Sequence, residues 1–404
     1  MTGSCTWPGP GARRAALATC WAAVLALSGC APGFGPGVDW SLAGRVGQRI
    51  EADINRSLDP DSQAALLTSA FNAGLVLDAE TQRALFTADL GIAARYHIGE
   101  DPELAGTGDI DPRLNVSASY RMKTTTFGAN GSLVVQPVES SEIVGDAGVA
   151  DSSATQINGS LGLSVTERLD ARNSVTLALN SSIVDFSEDV GDLTPTRTIG
   201  ASTSWERSVT ETTTVTSRIG LRHFTSDNAT ETRSQTLDLG VDLSHRRTPR
   251  HTVRLSLGTS AIRTVEDSGS NRTGTALDVG FTGGFGLDYR LAALNTGFDV
   301  TQSIEPSSVG VLQAFSRLNA RLGYDINDLE SLGLTLTASR RAAISGGGDT
   351  LDSLTVTPNY AWDVDASTRL VLGYTFRASR DSAEGTAIGH RVFVGLDHAL
   401  GLPQ

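Results

Sequence analysis

Apolar and polar side chains alternate along most of the chain between residues 85 and 400. In the stretch 370–377, Leu370, Leu372, Tyr374 and Phe376 share one face of an extended strand, and the residues between them share the other. A repeat of two residues excludes a helix there. Sixteen such segments predict strands at 86–98, 114–120, 127–135, 157–165, 175–183, 199–205, 215–223, 237–243, 253–261, 277–289, 294–300, 312–324, 332–338, 354–362, 370–378 and 392–398.

The connections between these segments alternate between compact and longer ones. Compact turns are predicted near 168–172 and 327–330, and longer connections rich in Gly, Ser, Asp and Asn near 137–153 and 185–195. This asymmetry is typical of an antiparallel up-and-down transmembrane β-barrel, which has short periplasmic turns and longer external loops. The pattern therefore predicts an all-β fold of about 16 strands over residues 85–400. An even strand number places both termini in the periplasm.

Aromatic residues at strand ends support the same orientation. Interfacial Tyr and Trp mark the level at which a strand leaves the hydrocarbon. Five of them close strands just before a predicted periplasmic turn, and they form the predicted periplasmic girdle: Tyr120, Trp205, Tyr289, Tyr324 and Trp362.

Residues 30–84 form a predicted N-terminal periplasmic segment of different character. Ile50, Ile54 and Leu58 recur at helical spacing, and a second apolar stripe, at positions 66, 67, 70 and 71, follows Asp59-Pro60. We expect a linker and one or two short amphipathic helices. These helices would dock on the periplasmic rim, enter the lumen as a plug, contact a partner, or simply pack as a cap.

Residues 1–29 read as a secretory signal peptide, with the basic pair Arg13-Arg14 followed by the apolar stretch 15–27. The sequence Leu27-Ser28-Gly29-Cys30 resembles the lipobox of bacterial lipoproteins, in which the cysteine carries a lipid. The alternative is ordinary signal cleavage near Cys30 or Ala31. Residues 401–404 form a short C-terminal tail.

Charge narrows the range of partners. The 404-residue chain has a net charge of −13, and removal of the signal peptide would leave a net charge of about −15. Nucleic acid is therefore not an expected partner, because phosphate binding needs a basic surface. Phosphate-loop, zinc-hydrolase and serine-hydrolase motifs are absent from the sequence, and the histidines have no ligand spacing. We expect no cofactor, no metal and no catalytic residue.

The face opposite the apolar one carries Gly, Ser, Thr, Asn, Asp and Arg, and in a barrel it would line the lumen. When each hairpin is centred on its loop, three opposite charges face each other across neighbouring strands. The predicted lumen pairs are Arg218 with Asp238, Asp242 with Arg254, and Asp299 with Arg317. Such pairs would hold register or, alternatively, orient polar solutes.

With these features, residues 85–400 resemble bacterial outer-membrane β-barrel proteins of porin-like type. The resemblance implies a bacterial outer-membrane location, with outer-membrane lipid and lipopolysaccharide and the barrel assembly machinery as partners. It also implies transit of a polar solute or a polysaccharide. One departure is the C-terminus, where such barrels usually end in an aromatic residue, whereas the last aromatic here is Phe393.

Three functions remain open. The first is a pore or export channel for small polar solutes or surface polysaccharide. The second is a non-conducting structural or interaction barrel that binds a partner through its loops or its N-terminal helices. The third is an outer-membrane hydrolase, which would need Ser or Asp beside His near the membrane edge.

Overall fold

A computed structural model describes residues 38–401 with gaps at 57, 59, 61–63, 101–107, 138–154, 188–192, 228–231, 269–270, 307–310, 345–349 and 383–384. For residues 266–276 other than 269–270, the structure describes only the backbone. The signal peptide, Cys30 and the tail 402–404 lie outside the described residues, so the lipidation hypothesis stays a prediction.

The described chain forms one antiparallel sheet of 18 strands. The strands are β1 Asp39–Ile54, β2 Ala65–Glu80, β3 Ala84–Gly99, β4 Gly108–Arg121, β5 Thr125–Pro137, β6 Thr155–Arg168, β7 Asn173–Phe186, β8 Thr196–Ser208, β9 Thr213–Ser226, β10 Thr232–Thr248, β11 His251–Ser268, β12 Asn271–Arg290, β13 Leu294–Pro306, β14 Leu312–Asp325, β15 Glu330–Ala343, β16 Leu351–Asp363, β17 Thr368–Asp381 and β18 Gly385–Gly401.

Each strand pairs with its neighbours in sequence, and β1 pairs with both β2 and β18. At this β1–β18 seam, Ala43 lies opposite Gly401 and Asp53 lies opposite Arg391. The sheet is therefore a closed up-and-down barrel, and no strand has an unpaired edge along its whole length.

The sixteen segments predicted between residues 85 and 400 are β3 to β18, but the predicted count of about 16 and the predicted N-terminal helices are wrong. The segment 39–80 forms β1 and β2. The reason is the spacing: residues four apart, such as Ile50 and Ile54, share a face in a strand as well as in a helix. In β2, likewise, Leu67 and Phe71 face one side, whereas Leu66 and Ala70 face the other. A plug made of residues 41–84 is excluded, because β1 and β2 belong to the wall.

Contacts between strands that are not neighbours identify the inner face. Arg222 on β9 donates to the backbone carbonyl of Ile304 on β13, at 3.0 Å, and Arg45 on β1 reaches Asp89 on β3, at 3.2 Å. Only the concave side of a closed sheet brings such strands together. Because side chains alternate, the residues between these positions, among them Ile219 and Leu221, lie on the outer face.

The two ends of the barrel differ in their connections. At one end, eight turns of two to four residues join β2 to β3, β4 to β5, and so on to β16 and β17; this is the short-turn end. At the long-loop end lie the other nine connections, including the 17-residue one between β5 and β6. Both β1 and β18 have their free ends at the short-turn end. No helix that could cross a bilayer occurs in the described part of the chain.

Candidate functional site

Long side chains on the inner wall lie opposite glycines. A side chain at Gly240 would meet the guanidinium of Arg218, and one at Gly286 would meet that of Arg254, each at 3.2 Å from the new Cβ. Glycine thus leaves room for a long side chain to lie flat along the wall. The same directly opposed pairing holds for Arg45 and Gly74, Arg113 and Gly91, Arg321 and Gly297, Arg377 and Gly389, Asn130 and Gly162, Asn180 and Gly200, and Asn359 and Gly333.

The six residues predicted as lumen charge pairs all lie on the inner face, but their registers differ from the prediction by two residues. Asp238 lies opposite Gly220, Asp242 opposite Ser256, and Asp299 opposite Asn319. The predicted partners Arg218, Arg254 and Arg317 are therefore each displaced. The prediction assumed that the two strands of each hairpin end at equal distances from the middle of the loop. When one strand extends further into the loop than the other, this assumption gives the wrong register. A shift of two residues keeps every side chain on its face and changes only its partner.

The actual ion pairs form a ladder across β9 to β14. Arg218 approaches Asp242 at 3.7 Å, and Arg222 approaches Asp238 at 3.4 Å. On the following strands, Arg254 binds Asp288 at 2.6 Å and Asp299 at 3.5 Å, and Arg321 approaches Asp299 at 3.8 Å. Several of these arginines stay half exposed, with Arg218 at 48% and Arg321 at 64% of the side chain. The ladder therefore faces solvent inside the barrel.

The end of β13 separates from β12 and bends into the lumen while it stays paired with β14. The pairing of β12 with β13 stops at Gly283 and Gln302, although both strands continue beyond it. The side chain of Ile304 is buried and lies where a Cβ at Gly280 would be. The inner position of Gly280 must therefore lack a side chain for this bend to form.

The bent end of β13 is held from the far side by Arg222, which donates to the carbonyl of Ile304. Arg222 is itself positioned by Asp238, whose carboxylate also accepts a hydrogen bond from Ser260 at 2.5 Å. Between the bend and the wall lies a cavity of about 490 Å³. Its lining includes Asn180, Ser202, Arg218, Arg222, Asp238 and Glu305.

Next to the ladder, Arg317 and Arg341 approach the ring of Phe315. Their guanidinium carbons lie 5.2 Å and 4.8 Å from the ring centroid. Arg317 therefore contacts an aromatic face on its own strand, in addition to any polar partner.

A second charged network lies at the seam, close to the long-loop end. Asp53 is 1% exposed, and both of its carboxylate oxygens are bound at 2.6 Å, one by Arg377 and the other by Arg391. Arg377 also donates to the carbonyl of Arg56, in the connection between β1 and β2. Arg49 binds Glu51 at 2.6 Å and lies 3.8 Å above the ring of Phe393. The network ties β1, β17, β18 and this connection together.

Arg56 links the seam network to a buried histidine. Its guanidinium contacts Thr68 and His97, and the two ring nitrogens of His97 contact Thr68 at 2.9 Å and Asp109 at 3.1 Å. The chain of side-chain contacts from Thr68 through His97 to Asp109 resembles the Ser-His-Asp arrangement of hydrolases. However, Thr68 is 2% exposed and His97 is 0% exposed, so a substrate has no access to these two side chains. This cluster does not provide the site that the hydrolase hypothesis needs.

The wall between the two charged networks is uncharged over β5 to β8 except close to the short-turn end, where the register places Arg168 and Glu206 on the inner face. Its inner face carries hydroxyls and amides, with Ser132 and Ser160 hydrogen-bonded at 2.6 Å and Thr166 and Thr176 at 2.9 Å. A second cavity, of about 290 Å³, lies where this wall meets Asp89 and Asn115. The lumen therefore alternates charged and neutral sectors.

The five aromatic residues predicted as a girdle lie on the outer face near the short-turn end. Trp205, Tyr324 and Trp362 are exposed, and the ring of Tyr289 stacks on His251 with centroids 4.4 Å apart. Sequence reasoning missed the threonine–histidine contacts at the same level, which join Thr213 to His245 and Thr368 to His398. Among the described residues, no cluster of three potential metal ligands occurs.

No family profile matches the chain, and no curated protein matches it. Among solved structures, OpdK of Pseudomonas aeruginosa with vanillate is 13% identical, with a TM-score of 0.49, over 89% of this chain and 99% of that chain. OccAB4 of Acinetobacter baumannii is 13% identical, with a TM-score of 0.49, over 91% and 100%. OccK2 (OpdF) of Pseudomonas aeruginosa with glucuronate is 14% identical, with a TM-score of 0.47, over 89% and 99%.

Proposed function

We propose that the protein is a water-filled channel of the bacterial outer membrane that passes small polar solutes. The observation that carries this proposal is the half-exposed arginine ladder on the inner wall of an 18-stranded closed sheet. Barrels of 16 to 18 strands are wide enough for an aqueous channel, whereas eight-stranded ones are filled by their own side chains. The exposed leucines, isoleucines and valines of the outer face suit a lipid environment.

The inner wall favours small solutes over a polymer. The bent end of β13, held by Arg222, narrows the lumen beside a cavity of about 490 Å³, which is within the range for small-molecule pockets. Acidic and basic side chains alternate along the ladder and neutralise each other. The lumen is therefore suited to small polar solutes that carry hydroxyl groups or charges of both signs.

Single-channel conductance of the purified full chain in a planar bilayer tests the channel. We expect stepwise conductance, and we expect Arg222→Ala to increase it because β13 loses its hydrogen bond across the lumen. Arg340→Ala, on the outer face, is the control and should leave conductance unchanged. A complete lack of conductance in all three proteins would contradict the proposal.

The orientation follows from the same proposal: the short turns and both termini face the periplasm. The chain offers a direct probe, because its only lysine, Lys123, lies exposed in the turn between β4 and β5. An amine-reactive reagent that cannot cross the outer membrane should leave Lys123 unmodified in intact cells. The variant Glu100→Lys, at the long-loop end, should be modified. Modification of Lys123 in intact cells would indicate the opposite orientation, with the short turns facing outward.

A further inference from the structure

The wall of the barrel is not zipped up between β12 and β13 at the long-loop end. The pairing of these two strands stops at Gly283 and Gln302. Beyond that point β12 pairs only with β11, and β13 pairs only with β14. Among the described residues, the side of β12 that is turned away from β11 therefore has no ladder partner over residues 277–282. We call this stretch the free edge of β12.

The free edge of β12 lies at the depth of the apolar belt. Through β11, Phe281 and Val279 are level with Leu239 and Leu237, which face outward on β10. The side chains of Leu277 and Val279 are 74% and 73% exposed, because no strand covers them on one side. Unpaired backbone groups are costly in hydrocarbon, since no water is present to replace the missing partner. A strand that paired with the free edge would remove this cost.

The sequence of β13 suits the free edge of β12. If the observed register continued beyond Gln302, Phe281 would lie opposite Ile304, and Gly280 would lie opposite Glu305. Phe281 and Ile304 would then both face lipid, and Glu305 would face the lumen. The residues of the bent end are therefore compatible with a place in the wall as well as with their place in the lumen.

Two contacts hold the bent end inside the lumen. Ile304 is 3% exposed, and its side chain lies on the inner face of β12 where Gly280 has no side chain. The carbonyl of Ile304 accepts a hydrogen bond from Arg222 at 3.0 Å. Both contacts are lost if Ile304 moves to the outer face beside Phe281. The two arrangements therefore exclude each other.

We propose that the end of β13 is a gate with two positions. In the inward position, which the structure shows, it narrows the lumen and lines the cavity of about 490 Å³ through Ser303, Ile304 and Glu305. In the wall position it pairs with the free edge of β12, so the lumen widens and the cavity loses this side. Gly283 and Gly284, at the point of separation, restrict the backbone least and permit the change of direction. The effect of the gate on transport rests on the proposed function.

Disulfide cross-linking distinguishes the two positions, because a disulfide needs Cβ atoms about 4 Å apart. In the purified full chain, Gly280→Cys with Ile304→Cys, the inward pair, should cross-link only in the inward position. Phe281→Cys with Ile304→Cys, the wall pair, should cross-link only in the wall position. Ile304→Cys alone is the control for cross-links to Cys30. Gel mobility with and without reducing agent measures the cross-link, and heat-modifiable migration shows that each variant is folded.

We expect both pairs to form disulfides, because the gate visits both positions. Adding Arg222→Ala should raise the yield of the wall pair and lower that of the inward pair, since the hydrogen bond to Ile304 is lost. Adding Arg340→Ala, on the outer face, is the matched control and should change neither yield.

Single-channel conductance then links the gate to transport. Oxidation of the wall pair should raise conductance, by about twofold at most, and reducing agent should reverse the rise, whereas oxidation of the inward pair should not raise it. Two results would overturn the proposal: a folded wall-pair variant that forms no disulfide, or a disulfide there that leaves the conductance of a conducting channel unchanged. If no variant and no wild-type protein conducts, the proposed function fails, and the cross-linking yields still decide whether the end of β13 moves.

Discussion

The two charged networks of the inner wall use the same residue types in opposite environments. At the seam, Asp53 is almost fully buried and held at 2.6 Å by both Arg377 and Arg391. On the ladder, Arg218 approaches Asp242 at 3.7 Å and is half exposed. Burial turns an ion pair into a fixed connection, because no water can replace a lost partner. A half-exposed pair stays available to solutes and contributes little to stability.

Removing the seam altogether should have the largest effect. A chain without residues 38–64 lacks β1, so β2 and β18 would both be left with an open edge. We expect no folded barrel, measured by the loss of heat-modifiable migration and of protease protection in vesicles. If residues before β3 were a dispensable periplasmic segment, the shortened chain would still insert. That result would contradict the closure through β1.

Asp53→Asn should have the next largest effect, because it leaves two partly buried arginines facing a neutral amide. Loss of one partner in a buried ion pair costs about 3–5 kcal/mol of unfolding free energy. Urea unfolding of the barrel in lipid vesicles measures this change. The comparison variant is Asp242→Asn on the ladder, for which we expect less than about 1 kcal/mol. Equal costs at the two sites would remove the distinction between the networks.

Gly240→Val should change transport more than stability. The new side chain would occupy the space of the Arg218 guanidinium and push it from the wall into the lumen. For the proposed channel we expect single-channel conductance to fall by about twofold at most, since a displaced side chain would fill only part of a wide lumen. Gly220→Val, whose Cβ meets no neighbour closer than 3.7 Å, is the matched control and should change conductance less.

The smallest effect is expected for a fully exposed carboxylate in a turn. The pKa of Asp365 is lowered to about 2 because its carboxylate accepts hydrogen bonds from the hydroxyl and amide of Ser367 and from Thr368. A lowered folded-state pKa gives a stabilisation that is present above the unfolded value, near 3.9, and is lost as pH falls through about 2. Asp365→Asn should thus be slightly less stable than wild type at pH 7 and equally stable below pH 2. If the difference in stability persists below pH 2, the lowered pKa of Asp365 is not its cause.

The strands that sequence could predict are those whose alternation has no competing period. Segments such as 370–378 allow only a strand, and all sixteen predicted segments are strands. Ile50 and Ile54 fit a helix and a strand equally, and only the pairing of β1 with both β2 and β18 decides between them. Local pattern contains no information about that closure.

The sequence predicted the face of the sheet on which the charged residues lie, but not the residues with which they pair. Alternation placed Arg218, Asp242 and Asp299 on the inner wall, and the registers then differed by two residues because loop length does not fix the pairing. The inward bend at Ile304 depends on Gly280 and on Arg222, which lies 82 residues away in sequence. A glycine within a strand indicates that another group approaches the backbone closely, but the sequence does not identify that group.

The β1–β18 seam also constrains how this protein is made. Its two strands are the first and the last of the sheet, as the pair Ala43 and Gly401 shows, so the ring cannot close until β18 has been synthesised. Before that step the sheet is open, and its two edge strands have unpaired backbone groups. Pairing the first strand with the last closes the longest loop and therefore has the largest loop-closure entropy cost of any strand pairing. Asp53 can contact Arg377 and Arg391 only after β1 has paired with β18. The buried ion pairs of these three residues therefore form only in the closed barrel.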